Sequence, residues 1–455
     1  MSPASPHVRR ALPTLATIPP IDTFPGVDDL LQRADDLADR IGATRHVIGR
    51  ARSGAEIPAY TVGTGATRVV VVGGVHPNEP IGFHSVLVLL GLLAERDPAL
   101  PDATWHIVPC IDPDGVRLNE SWFAAPADRG SYFRGLYRPA PAEQVEWSFP
   151  FDHEGVRFDA PIPETRALMS LLDEVRPHVF MGLHNAELGG VYYYLNRDEP
   201  DLVVDLGALP TQLGLFLDVG EPESAELDRL GPGVFRAPLT RERHDYLRGL
   251  GIDPSTETGG AGTADYLEPH GTLTVVAELP YWTHPDAADE RGSGREYGDV
   301  LVTKAAALTE LHDDLDDLWS RAAPYLRADT PFRRATDAFV PAMGALGAAE
   351  AARASDPAHR REATVAEVFG NEEVVTMFRL RFGGILRRAL HAEAAEPDAD
   401  PALHALAAEV EDRFAGWMDA LAVRPGIRPL PIERLVAVQL GALLVTVSRE
   451  TERLA

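Results

Sequence analysis

In VVVVGGVHPNEPIG (69–82), four valines pass through two glycines into His76 and, three positions on, Glu79. A strand needs the valines but has no use for the imidazole or the carboxylate. Two other apolar runs end in the same manner: HVFMGLH (178–184) delivers His184, and LTVVAE (273–278) delivers Glu278. Two imidazoles and a carboxylate are a standard ligand set for catalytic zinc, with a fourth position left for water. A further carboxylate near that water can take its proton during attack on a carbonyl and pass it to the leaving group. Plainer readings exist for each residue: a turn histidine, a strand-end histidine bonded to a backbone carbonyl, a glutamate paired with an arginine. An HxxE by itself is weak. What weighs toward a site is that all these groups fall at the carboxyl ends of strands, where open α/β sheets gather their ligands.

The elements that would position them alternate. VDDLLQRADDLADRIG (27–42) has helical apolar spacing and stops at Gly42, and residues 45–63 read as two short strands around a Ser53-Gly54 turn. The valine run is the continuous apolar strand of a sheet buried on both faces. FHSVLVLLGLLAE (83–95) and PETRALMSLLDEV (163–175) read as helices, and WHIVPCID (105–112) as a further strand. The expected fold is α/β, a mixed, largely parallel sheet flanked by helices, over roughly 45–295. An N-terminal segment and helix (1–44) precede it, with residues 1–26 Pro-rich and irregular. Residues 296–455 read as a helical C-terminal region, rich in alanine and arginine and punctuated by prolines. GTGAT (63–67) reads as a hairpin-type turn, and Tyr192 to Tyr194 as a strand.

Composition narrows the function classes. A formal charge of −27 argues against nucleic acid and against anionic membrane surfaces as partners. Cys110 is the only cysteine, so no intrachain disulfide forms and a reducing compartment is expected. No signal-peptide pattern and no membrane-length apolar run is seen; LVAVQLGALLVTV (435–447) is too short and is flanked by charge. These features together read as a cytoplasmic protein, and Lys304 as the only lysine among 42 basic residues reads as high-GC codon bias, hence a bacterium, with a salt-adapted proteome as the rival explanation.

On these residues the sequence resembles the zinc carboxypeptidases. GGVHPNEPIG is similar to that family's HxxE metal motif. IDPDGVRLN (111–119) resembles its Asn-Pro-Asp-Gly segment, with Asp112 replacing asparagine. PETRALMSLLDEVRPHVFMGLHNAE resembles the stretch leading to the third ligand, and GGAGTADYLEPHGTLTVVAELP the closing segment. The resemblance implies one zinc ion per chain held by His76, Glu79 and His184, with Glu278 as general base and acid. HNAE (184–187) is a second HxxE, so Glu187 competes with Glu79; Glu79 is preferred, leaving Glu187 as an outer or substrate-facing group. For the arginine that polarises the scissile carbonyl, YFRGLYRP (132–139) offers Arg134 and Arg138, and Arg134 is favoured.

The resemblance weakens at the substrate end. The family grips a terminal carboxylate with an Asn-Arg pair, whereas QVEWSFPFD (144–152) puts Glu146 and Trp147 there. A glutamate repels a carboxylate and favours a cation or a hydrogen-bond donor. The tyrosine of the family's mobile loop is also missing, with Ser255 in its place and Tyr246 or Tyr266 as substitutes. The expected function is therefore a zinc-dependent hydrolase of a peptide or amide bond. A zinc amidase or deacylase with no need of a C-terminal carboxylate is the second reading, and a non-catalytic binding module the third. The helical region would cover the catalytic domain, narrow its mouth, or join copies into a homo-oligomer.

Overall fold

The computed structural model describes residues 5–237, 239–256, 259–422 and 425–455. A nine-stranded mixed sheet organises the first two thirds of the chain. Its spatial order is Thr44–Arg50, Glu56–Val62, Ala103–Val108, Thr67–Val72, Val179–Leu183, Leu273–Glu278, Tyr192–Leu195, Val234–Arg236 and Asp228–Gly231. The four central strands, from Ala103–Val108 to Leu273–Glu278, run parallel to one another, and antiparallel pairings enclose them.

The four valines show how the layers form. Successive side chains on a strand point to opposite faces. Val69 and Val71 accordingly join one buried cluster, with Phe83, Val86 and Leu90 of the helix Ile81–Glu95 and with Val436, Leu440 and Leu443 of the helix Ile432–Leu454. Val70 and Val72 join another, with Leu168, Leu171 and Leu172 of the helix Pro163–Val175. Helices thus cover both faces, as a parallel sheet requires. The helix Ile432–Leu454 is buried on every side from Leu435 to Ser448 because it lies in the interior, against Ile81–Glu95, Pro200–Gln212 and Pro6–Leu15. No helix among the described residues is long and apolar enough to cross a membrane.

The C-terminal helices Tyr297–Ala322, Pro331–Ala354, Val365–Ala394 and Pro401–Ala422 pack on one another. Pro331 and Pro401 open their helices, where a missing N–H costs nothing, whereas Pro341 lies inside one. The buried cluster on the first sheet face continues through this bundle without a break, from Val8 to Val447.

Two local expectations fail. Residues 1–26 are not wholly irregular: Pro6–Leu15 is helical, capped by Ser5, and buries Val8, Ala11 and Leu15 against the last helix despite Pro13. The proline content masked an amphipathic spacing. GTGAT is not a hairpin turn, because its flanking strands pair with opposite sides of Ala103–Val108 and not with each other. Its glycines serve a close approach instead, since a Cβ on Gly63 or Gly65 would come within 2.3 or 2.5 Å of the Ala103 backbone.

Candidate metal centre

The strand Thr67–Val72 turns sharply at its end. Gly74 takes a left-handed φ of 68°, and a Cβ on Gly73 would lie 2.3 Å from the Pro109 carbonyl oxygen. The Glu79 amide then donates to the His76 carbonyl at 3.1 Å, closing a turn between the two candidate ligands. His184 follows the neighbouring strand Val179–Leu183 directly, and Glu278 is the last residue of the next, Leu273–Glu278. Three adjacent parallel strands therefore deliver four buried polar side chains to one edge.

Ligand atoms of His76, Glu79 and His184 all lie within 4.8 Å of one another. The two imidazole centroids are 4.9 Å apart. The His184 Nδ1 is 3.3 Å from a Glu79 oxygen and 3.8 Å from a Glu278 oxygen. Buried side-chain nitrogens without a hydrogen-bond partner are costly, yet His76 Nδ1 and His184 Nε2 both lack one.

Electrostatics within the cluster follow from burial and mutual charge. Burial, reinforced by Arg138, holds the His76 imidazole well below its ordinary pKa, so it is neutral and able to donate a lone pair. For His184, burial alone would lower the pKa, but the hydrogen bond to Glu79 and the charge of Glu278 push it up to about 9. A cation among the same atoms would displace that proton. Burial opposes ionisation of Glu79, yet the hydrogen bond to His184 and the charges of Arg138 and His184 hold its carboxyl well below the usual range. Glu278 is pushed well above that range, first by burial, with His184 opposing and Glu79 and Glu223 adding to the rise. Two carboxylates side by side are thus driven apart, one fixed as an anion and one poised to hold a proton.

The two candidate arginines separate. Arg138 is buried and donates to Glu79 Oε1 at 2.7 Å and to Asn78 Oδ1 at 3.2 Å. Arg134, the favoured one, is exposed on the helix Arg129–Gly135, beside Asp128 and Gly130. Residues 129–135 are helical, which turns position 134 outward while Tyr132 and Phe133 go in. Glu187 stands outside the ligand group. It is buried and accepts from Tyr132 Oη at 2.5 Å and from Arg381 at 2.6 Å. Glu146 is on the short turn Val145–Trp147, its carboxylate accepting from Thr263 N at 3.2 Å and Thr263 Oγ1 at 2.8 Å. Burial raises its pKa and His184 opposes, so it acts electrostatically on the ligand cluster. Neither proposed tyrosine reaches the centre: Tyr266 bonds to Asp173, and Tyr246 has Arg353, Glu226 and Glu350 around it.

Several positioning residues escaped the sequence reading. The Asn185 amide donates to Glu79 Oε2 at 3.1 Å, its side chain accepts from Ile81 N at 3.1 Å, and Tyr281 Oη donates to the Asn78 carbonyl at 2.9 Å. Gln439 comes from the final helix. It donates to the His184 carbonyl at 3.0 Å and accepts from Ser85 Oγ at 2.6 Å. Gln439 had a signal, being the lone amide in LVAVQLGALLVTV. Arg381 had none.

Comparison with known proteins finds one family model matching part of the chain, and distantly similar solved structures. The family model described as zinc carboxypeptidase matches residues 28–205. No curated protein matches the chain. Among solved structures, carboxypeptidase A from Helicoverpa armigera is 12% identical, with 77% of this chain and 80% of that one covered and a TM-score of 0.39. A candidate metallopeptidase from Shewanella amazonensis SB2B is 13% identical over 56% of this chain and 84% of its own, also at 0.39. A metallo-carboxypeptidase from Burkholderia cenocepacia is 15% identical over 56% and 60%, at 0.34. At these values the structural likenesses carry no argument about individual residues.

Proposed function

We propose, on the match of residues 28–205 to the zinc carboxypeptidase family, that the chain is a zinc-dependent hydrolase of a peptide or amide bond. The observation that supports this most is the convergence of His76, Glu79 and His184 within 4.8 Å, with His76 Nδ1 buried and unpartnered. The donor set, two imidazoles and one carboxylate, fits zinc.

Zinc held there supplies Lewis-acid polarisation of water and of the scissile carbonyl. The remaining work belongs to the chain. Glu278, with its pKa raised by burial, takes the proton of the attacking water and returns it to the leaving nitrogen. The Arg138 guanidinium, 2.7 Å from Glu79, has the planar donors to meet the oxyanion as charge develops. Asn185 N and Arg138 hold the Glu79 carboxylate from two sides, and Gln439 fixes the His184 backbone.

A second reading, an amidase or deacylase acting on a small or modified amino compound, is favoured by one observation. Glu146, a carboxylate, lies close enough to the cluster to act on His184. The test is turnover of paired substrates with free and amidated C-termini by the zinc-loaded protein. A carboxypeptidase loses activity on the amidated member, whereas the second reading keeps it. No hydrolysis of either, at full zinc occupancy, would overturn both.

A further inference from the structure

What the hydrolase grips beyond the scissile bond can be read from its unmatched charges; this step rests on the function proposed above. Glu79 and Glu187 each have a guanidinium, Arg138 at 2.7 Å and Arg381 at 2.6 Å. Glu278 has the His184 imidazole at 3.8 Å. Glu146 forms no ion pair among the described residues. Its two oxygens accept from the backbone and hydroxyl of Thr263, both neutral donors, and each oxygen retains acceptor capacity. A half-buried carboxylate with no cation in contact is an electrostatic debt that a ligand can settle.

Its sequence neighbour supplies the other half. Trp147 is 40% exposed, although its ring lies 5.5 Å from that of His76 and 5.4 Å from the Arg138 guanidinium. An indole held at the rim of a catalytic cluster, and left open to solvent, offers a π surface to whatever enters. A carboxylate and an indole adjacent on one turn, the indole against His76 and the carboxylate within electrostatic reach of His184, are the pairing that holds an organic cation, by charge and by cation–π attraction. The same carboxylate repels a substrate carboxylate. The net charge of −27 acts in the same direction on encounter.

We propose that Glu146 and Trp147 form a subsite for a cationic group of the substrate, an alkylammonium or guanidinium, where a carboxylate would be excluded.

The test uses the zinc-loaded full chain and three hippuryl conjugates: of agmatine (cationic, no carboxylate), of pentylamine (neutral) and of norleucine (carboxylate). The agmatine conjugate is expected to exceed the other two in kcat/KM by about tenfold or more, and Glu146→Gln and Trp147→Leu should each shrink its advantage over the pentylamine conjugate by about tenfold. Gln keeps an oxygen for Thr263, and position 147 is exposed, so both variants should fold; near-UV circular dichroism checks this. Preference for the norleucine conjugate, or an agmatine advantage unchanged in both variants, would overturn the proposal. Calorimetric titration with free agmatine and free pentylamine separates this failure from failure of the hydrolase reading. Without any turnover, agmatine binding that exceeds pentylamine binding and weakens about tenfold in Glu146→Gln still supports the subsite. Equal binding of the two amines sinks it.

Discussion

Metal content distinguishes a ligand from a bystander. Replacing His76 and His184 together by alanine should take the protein from about one zinc per chain to none, by mass spectrometry of the purified protein. Glu278→Gln should keep the zinc and lower kcat by about 10²–10⁴-fold, the usual worth of a general base; loss of metal in this variant would make Glu278 a ligand instead. Arg138→Ala should cost about 10²–10³-fold in kcat, as removal of an oxyanion donor does, whereas exposed Arg134→Ala should leave the rate close to wild type. Equal losses at the two positions would return the oxyanion role to dispute. Asp112 makes a prediction about pH. It is fully buried, its carboxyl pushed up to about 7 by burial against the opposing pull of Arg52 and the Gly115 amide, from an ordinary value of 3.8. The folded state therefore holds this proton up to about pH 7 and the unfolded state only to about pH 4. Stability from this group is complete below the lower value and is lost as pH rises to the upper one. Asp112→Asn cannot ionise and keeps the acceptor for Gly115 N. Its melting temperature relative to wild type should climb between pH 5 and 7 and level off above. A difference that falls with pH would contradict the raised carboxyl.

Elements carry the next prediction, and the final helix is the informative one. Gln439→Leu preserves helix propensity and approximate volume but leaves Ser85 Oγ and the His184 carbonyl without their partner. Each orphaned buried group costs about 1–3 kcal/mol, so the urea midpoint should fall and zinc affinity should weaken with it. Unchanged zinc affinity alongside the stability loss would confine Gln439 to a packing role. This helix also marks where sequence reading stopped. The central strands and the ligand motifs were legible because burial on both faces leaves a continuous apolar run, and a polar residue at its end then stands out: Val69 to Val72, then His76. The outward position of residue 134 was not legible, because a seven-residue helix has too few turns for its spacing to announce which side is outward. Helices 296–455 were legible as helices, but not their address, since periodicity shows which face is apolar and not what that face meets. Arg381 is the clearest case. Its partner Glu187 is nearly two hundred residues away in sequence, and no local pattern links them.

For the whole molecule, the sequence suggested a boundary near residue 295, whereas the buried cluster from Val8 to Val447 is continuous across it. Scanning calorimetry should accordingly show a single transition, and a fragment ending at 295 should fail to fold, because Val69, Val71 and their neighbours would lose the helix that covers them. Two resolved transitions would separate the helical region as an independent unit. The high negative charge predicts a salt effect as well: KM for a cationic substrate should rise between about 20 and 500 mM salt, as the Debye length contracts. The bond from Gln439 to the backbone of His184 has a further consequence in time. A ribosome delivers His76, Glu79, His184 and Glu278 well before residues 432–454 emerge. Until they do, the sheet face is bare and the third ligand is unbraced. If the proposed function holds, the nascent chain should stay inert beside its own unfolded segments until the helix that braces His184 has been made.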